Sequence, residues 1–330
     1  MKAVYIKEFG GPENLEVREV PDPPKPIGTE VLVRVKAAGL NRADLIQRRG
    51  HYPPPAGYSP NIPGLEFAGE VSEIGTDVAD LKIGDRVFGI TAGEAQAELL
   101  KIDYRLLVEI PSNLSFTEAA AVPEAFITAH DAVFAQGRLK NAETLLVHAV
   151  GSGVGLAALQ LGKAFGHRVI GSSRTAEKLE RCREFALDEE IVVAREPSFA
   201  DEVLSRTDAR GVDVILDLVG GAYFEQNLLS LALKGRLLLV GLTAGSTANL
   251  NLGIALSKRL KLIGTVLRAR SIEEKADATS AFASDVVPML ASGKVRPNVD
   301  RVFDFKDVRG AHEYLESNES FGKVVLKVGV

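Results

Sequence analysis

A chain of 330 residues with 46% hydrophobic content buries a sizeable core and is long for one domain, so two domains are expected. A formal net charge of −5 weighs against nucleic acid or an anionic membrane as the main partner. One cysteine, Cys182, excludes an intrachain disulfide and a multi-cysteine zinc cluster, and it suits a reducing cytosol.

The first residues alternate like a strand and lack the charged-then-apolar layout of a secretory signal. No stretch approaches the roughly 18 uninterrupted apolar residues of a membrane span. A cytoplasmic protein is therefore expected. Residues 1–123 carry short alternating segments, among them Val4-Tyr-Ile, Leu15-Glu-Val-Arg-Glu-Val and Val31-Leu-Val-Arg-Val, separated by Gly and Pro clusters. That texture predicts a compact, mostly antiparallel β domain. Thr117-Glu-Ala-Ala-Ala opens the first helix, after Pro111 and Asn113.

Residues 124–270 alternate strand and helix. Leu145, Leu146 and Val147 form an apolar run without polar alternation, as in a strand buried on both faces. Gly151, Gly153 and Gly155 follow at once, then a helical stretch from Leu156 to Gly166 and a second strand, Arg168-Val-Ile-Gly-Ser-Ser. Further strands are read at Ile191, Val212, Gly235 and Leu260. This is the pattern of a doubly wound parallel sheet, with ligand expected at the carboxyl ends of its strands. A helix from Ser271 to Ala291 and short strands close the chain over 271–330, completing the first domain.

The glycine bend is the chemically informative stretch. Glycines let backbone approach a pyrophosphate, and a helix N-terminus offers it unpaired N–H groups and a positive dipole end. The spacing departs from the strict G-x-G-x-x-G form, since Val150 and Ser152 stand where the first two glycines would fall. Gly151, Ser152, Gly153 and Val154 are the candidate phosphate-facing residues. An NAD site wants an acidic residue at the second strand's tip. Here Ser173 and Arg174 stand there, with Lys178 one turn on. Hydroxyls and cations suit a 2′-phosphate, at about 1.5–3 kcal/mol per charge-assisted contact, and predict NADPH over NADH.

The order of motifs resembles the zinc-free quinone oxidoreductase (zeta-crystallin-like) branch of the medium-chain dehydrogenase/reductase superfamily. The residues that carry the likeness run end to end: Gly39-Leu-Asn-Arg-Ala-Asp, Arg49-Gly-His-Tyr-Pro-Pro-Pro, Pro63-Gly-Leu-Glu-Phe-Ala-Gly, Ala120-Ala-Val-Pro-Glu-Ala, Val147-His-Ala-Val-Gly-Ser-Gly, Gly264-Thr-Val-Leu-Arg and Gly322-Lys-Val-Val-Leu. Within it, the subgroup of tumour-suppressor-inducible quinone oxidoreductases looks most similar. The resemblance implies an α/β fold: a Rossmann-type domain over 124–270 binding NADPH, and a GroES-like, mostly-β catalytic domain over 1–123 completed by 271–330. Zinc relatives place Cys, His and Cys around a catalytic metal. The matching positions here are Asn41, Leu65 and Glu124; Leu65 cannot ligate and Asn41 is a poor zinc ligand, so no metal is expected.

What the resemblance implies is hydride or electron transfer to an intrinsically electrophilic acceptor, without zinc or flavin: a quinone, or alternatively a 2-alkenal or other enone. Whether electrons pass singly or in pairs stays open. A non-enzymatic use, as an NADPH-binding structural or RNA-binding protein, is the third alternative, and the acidic balance weighs against RNA. Asn41 would hydrogen-bond the nicotinamide side or the acceptor oxygen. Tyr52 would stack on the acceptor or donate to its oxyanion. Thr128 would lie near the nicotinamide, Gly241 and Leu242 in the dinucleotide cleft, Leu267 and Arg268 beside it, and Lys323 near a phosphate. A tyrosine that the family often has near position 193 is replaced by Val192 or Val193. A homodimer through the strand at Leu260–Val266 is expected. Asp44, Glu124, His148, His130, His167, His312 and Cys182 are read as structural.

Overall fold

The protein is described here by a computed structural model covering residues 1–193 and 197–329. Contacts divide it into two units, Met1–Ile127 with Leu267–Val330, and Thr128–Val266.

In the first unit a sheet runs in the order Val299–Asp304, Lys323–Lys327, Glu30–Leu40, Glu66–Ile74, Arg86–Ile90 and Leu107–Glu109, with Leu99–Asp103 also paired to Glu30–Leu40. The pairings are antiparallel apart from the first, which is parallel. The long strand Glu30–Leu40 is the hub. One half of an edge pairs with Leu99–Asp103, the other half with Lys323–Lys327. Inward residues Val33, Val35, Phe67, Val71 and Leu326 form the core, and Val308 and Leu315 of helix Val308–Ser317 pack on it.

Two registers along the hub strand bring charged groups together. Val324 opposite Leu40 brings Lys323 beside Asn41. Glu66 opposite Gly39 sets its carboxylate against bare backbone: a Cβ on Gly39 would lie 2.4 Å from Glu66 Oε1 and 2.6 Å from the Ala120 carbonyl oxygen. Only glycine leaves room there.

Helix Arg42–Arg48 has no counterpart in the sequence reading. It is started by a capping arrangement, in which the Asp44 carboxylate accepts from the Asn41 backbone N–H at 2.8 Å. Its inward face holds Gln47 and Arg48 beside Leu45, so it shows no apolar period. Helix Ile272–Ala291 is the opposite case. Ser271 caps it with Glu274 three residues on, and Ala278, Phe282, Val286 and Leu290 recur on one buried face.

The second unit is a parallel sheet in the order Glu189–Val192, Arg168–Ser173, Thr144–Val147, Val212–Asp217, Leu231–Leu239, Lys261–Gly264. Counting strands in chain order, that is 3-2-1-4-5-6, the dinucleotide-binding arrangement, with its switch point between Thr144–Val147 and Val212–Asp217. Leu145, Leu146, Val147, Val214, Ile215 and Leu216 are fully buried, the reason these runs lack polar alternation. The edge strand Lys261–Gly264 stays largely exposed, with Leu262 38% and, on the preceding helix Leu252–Lys258, Leu256 80% accessible. Among the described residues no helix is long and apolar enough to cross a membrane.

Candidate functional site

At the switch point of the second unit, strand Thr144–Val147 turns into helix Gly153–Ala164 through His148–Ser152. The turn is tight. A Cβ on Gly155 would meet the Ala149 carbonyl oxygen at 2.4 Å and Val150 Cα at 2.7 Å, so only glycine lets the helix begin so close to the strand. Ser152 caps the helix, its hydroxyl accepting from the Gly155 N–H at 3.2 Å. The remaining first-turn N–H groups, at Gly153 and Val154, lie at the carboxyl end of the central strand. Gly151 is buried beside them.

Beneath this bend His148 is a strut. It bonds Ser172 Oγ and Asn227 Oδ1, each at 2.6 Å, and Asn227 in turn donates to Asp217 at 2.9 Å. Burial holds the imidazole below its ordinary range. The other Asp217 oxygen accepts from Val219 and Gly220 and so shapes the loop at the neighbouring strand's tip. Gly241 and Leu242 adjoin that loop, Gly241 bonded to the Asp217 carbonyl at 3.1 Å and Leu242 55% exposed. At the second strand's end Ser173 is buried, Arg174 exposed and Lys178 half-buried. Burial pushes the Tyr223 phenol up, and the nearby Arg174 charge pulls against it. Val192, at the third strand's tip, is exposed and Val193 buried. Thr128 is 9% exposed, and its hydroxyl has no hydrogen-bond partner among the described residues.

The first unit gathers a second set of groups. The buried Lys323 ammonium donates to the Leu40 carbonyl at 2.7 Å and Asn41 Oδ1 at 2.6 Å, and lies 2.5 Å from Glu66 Oε1. Asn41 Nδ2 donates to the same Glu66 oxygen at 2.8 Å, and the Glu124 backbone N–H to the other at 2.8 Å. Asp44 accepts from the Gly64 and Asn41 backbones, and burial lifts it to about 6. Glu124 sits in the wide π-helical turn Pro123–Ile127; burial first, then the Glu66 charge, lifts it from 4.5 to about 8. Tyr52 is half-buried, its ring 4.7 Å from the Arg268 guanidinium. Arg268 also donates to the Tyr52 carbonyl at 2.8 Å, the Ala92 carbonyl at 2.7 Å and the Gln47 amide oxygen. Leu65, next to Glu66, is buried and apolar.

Lys323, set near a phosphate by resemblance, has its N–H donors committed inside the first unit. Leu267 and Arg268 are buried at 5% and 4% exposure, and Arg268 anchors the Tyr52 loop. Asp44, read as structural, caps its helix, while Arg42 bonds Asn318 and Arg48 bonds Glu316. Cys182 ends a helix, and burial pushes its thiol up to about 12, which leaves it inert. Glu66 is the group that sequence reasoning passed over, and Glu124 was read as structural. A carboxylate inside an otherwise apolar strand start was the available signal.

Residues 28–131 match the family described as alcohol dehydrogenase GroES-like domain, and residues 153–284 the family described as zinc-binding dehydrogenase. The quinone oxidoreductase of Pseudomonas aeruginosa is 34% identical over 326 residues, spanning 98% of this chain and 99% of that one. The chain belongs to the quinone oxidoreductase family of the medium-chain dehydrogenase/reductase superfamily. Solved structures agree. A quinone oxidoreductase of Pseudomonas syringae pv. Tomato DC3000 superposes with a TM-score of 0.89 at 31% identity, covering 99% of each chain. The Escherichia coli quinone oxidoreductase, solved in complex with NADPH, gives 0.88 at 30% identity, covering 99% of this chain and all of that one. Membership makes this protein an oxidoreductase with a Rossmann-type domain and a GroES-like domain.

The raised pKa of Glu124 has a thermodynamic consequence. Between pH 4.5 and about 8 the folded state holds a proton that the unfolded chain releases, so stability falls as pH rises through that window. Glu124→Gln removes the dependence. Relative to wild type it should gain about 1–3 kcal/mol between pH 5 and pH 8, allowing for solvent screening at a half-buried group. Urea unfolding at the two pH values reads this directly, and an equal difference at both would refute it.

Proposed function

We propose that the protein reduces quinones with NADPH by direct hydride or electron transfer, without zinc or flavin. The residues of the second unit fit the coenzyme. Gly155 lets the helix start close against the strand end, which brings its first N–H groups to the carboxyl end of the sheet, and the buried Thr128 hydroxyl lacks a partner among the described residues. When bound, NADPH supplies the reducing equivalents. Gly151, Ser152, Gly153 and Val154 would face its pyrophosphate, with Gly241 and Leu242 beside it. Ser173, Arg174 and Lys178 would take the 2′-phosphate.

The observation that carries the reading is the tip of strand Arg168–Ser173, which ends in hydroxyl and cation where an NAD site would end in a carboxylate. The metal-free reading is supported by residue chemistry. Of the positions that bear ligands in zinc relatives, one is apolar Leu65, and the Asn41 amide is held by Lys323 and Glu66. Without a Lewis acid the acceptor must itself be electrophilic and conjugated, as quinones are. Asn41 and Tyr52 are proposed to meet it, Asn41 as a donor to the carbonyl oxygen and Tyr52 as a stacking surface.

The test is turnover of NADPH with 9,10-phenanthrenequinone, 1,4-benzoquinone and a 2-alkenal, each with and without a chelator. Quinone turnover insensitive to chelation is expected. Loss on chelation with recovery on zinc would overturn the metal-free reading, and turnover of the 2-alkenal alone would replace the quinone by the enone. Arg174→Asp should lower the NADPH/NADH ratio of kcat/KM at least about tenfold, the size of one charge-assisted contact; an unchanged ratio would remove Arg174 from the site. The exposed apolar edge at Leu262 and Leu256 supports pairing of two copies across a two-fold axis. Sedimentation equilibrium should give twice the chain mass, and a monomer at micromolar concentration would end that part of the proposal.

A further inference from the structure

Two neighbouring glutamates of the first unit share their hydrogen-bond donors unequally. Glu66 is fully buried and takes three: Asn41 Nδ2, the Lys323 ammonium and the Glu124 backbone N–H. Among the described residues no hydrogen bond reaches the Glu124 carboxyl. Negative charge settles where donors are supplied, and a like charge alongside forces the other carboxyl to keep its proton. Where environments separate two carboxyls in this way, the acid and the anion are thereby assigned. Exposure points the same way. Glu66 is sealed off, while Glu124 keeps part of its surface exposed. Its mounting on the π-helical turn Pro123–Ile127 is of the kind that recurs at functional sites.

We propose that Glu124 is the acid that hands the reduced acceptor its proton. This rests on the quinone-reductase reading. The balance is simple. The quinone gains a hydride, one proton with two electrons, as NADPH becomes NADP+, leaving one oxygen negatively charged. The O–H bond of Glu124 breaks, a new O–H bond forms on that oxygen, and the electron pair stays on the glutamate, which recovers a proton from water once the hydroquinone leaves. Glu66 and Asp44 face Glu124 with negative charge and keep its proton on; Lys323 and Arg268 oppose them, and Lys275 lies within the same field. Burial, together with this balance of charges, leaves Glu124 titrating at about 8, within reach of neutrality, where general acids are most effective. Tyr52, also in electrostatic reach, is the rival donor, but burial raises its phenol further above neutrality.

The experiment follows kcat for 9,10-phenanthrenequinone against pH in wild type, Glu124→Gln and Tyr52→Phe. Wild type should hold its rate to about pH 7 and lose it progressively above about 8. Glu124→Gln should be slower by about tenfold or more at pH 6.5 and lack that limb, whereas Tyr52→Phe should keep it. A second readout needs no turnover. In coenzyme-free protein labelled with 13C at glutamate carboxyls, one resonance should titrate near pH 8 in wild type and vanish in Glu124→Gln. A limb that survives in Glu124→Gln, a loss uniform across pH, or no carboxyl titrating above pH 7 would each overturn the assignment. Inactivity of wild type with every quinone would instead sink the function reading, while the resonance would still report where the proton sits.

Discussion

The carboxylate of Glu66 carries the organisation of the first unit. It sits where the strand Glu66–Ile74 begins, against Gly39 of the hub strand, and it receives donors from Asn41, Lys323 and the turn at Glu124. Segments far apart in the sequence are thereby fixed to one point. Burying a lone carboxylate costs several kcal/mol, and the paired ammonium with two further N–H donors offsets that. Those donors are consumed on Glu66, so the adjacent carboxyl, itself buried and beside a like charge, holds its proton up to about pH 8. The chemical character of Glu124 is thus set by its own burial and by the fully buried Glu66 beside it.

The second unit solves a different problem with different means. It has to bring a helix start close to a strand end and keep that end still. Gly155 removes the side chain that would block the approach, and the His148–Asn227–Asp217 chain of hydrogen bonds ties together the tips of the two strands at the switch point. The ring contacts of His148 with Phe199 and Tyr223, each at 4.9 Å, fill the space below. A polar network of this kind, fully satisfied, costs little and leaves few alternative packings.

Much of the architecture was legible in the sequence because it rests on local signals. The apolar run at Leu145–Val147, the glycines after it and the Ser271 cap with Glu274 each act within a few residues, and periodicity reads such things well. Helix Arg42–Arg48 escaped because its buried face includes Gln47 and Arg48, whose partners Pro60, Gly10 and Glu316 come from elsewhere in the chain. The environments of Lys323 and Arg268 escaped for the same reason. Lys323 meets Leu40 across 283 residues and Arg268 meets Gln47 across 221. A charge's partner over such separations is decided by how distant segments are brought together, which no short window of sequence contains. Resemblance supplied positions, but not which groups those positions touch.

The pairing of Lys323–Lys327 with the hub strand also bears on the order of biosynthesis. The second unit is one continuous stretch, Thr128–Val266, and can assemble as soon as it has left the ribosome. The first unit is split around it, and Glu66 lacks its paired ammonium until the segment bearing Lys323 has been translated. Closing so distant a contact is slow on entropic grounds. Nascent chains therefore pass through a stage in which a folded middle domain is flanked by an unfinished sheet, the stage at which a chaperone has most to protect.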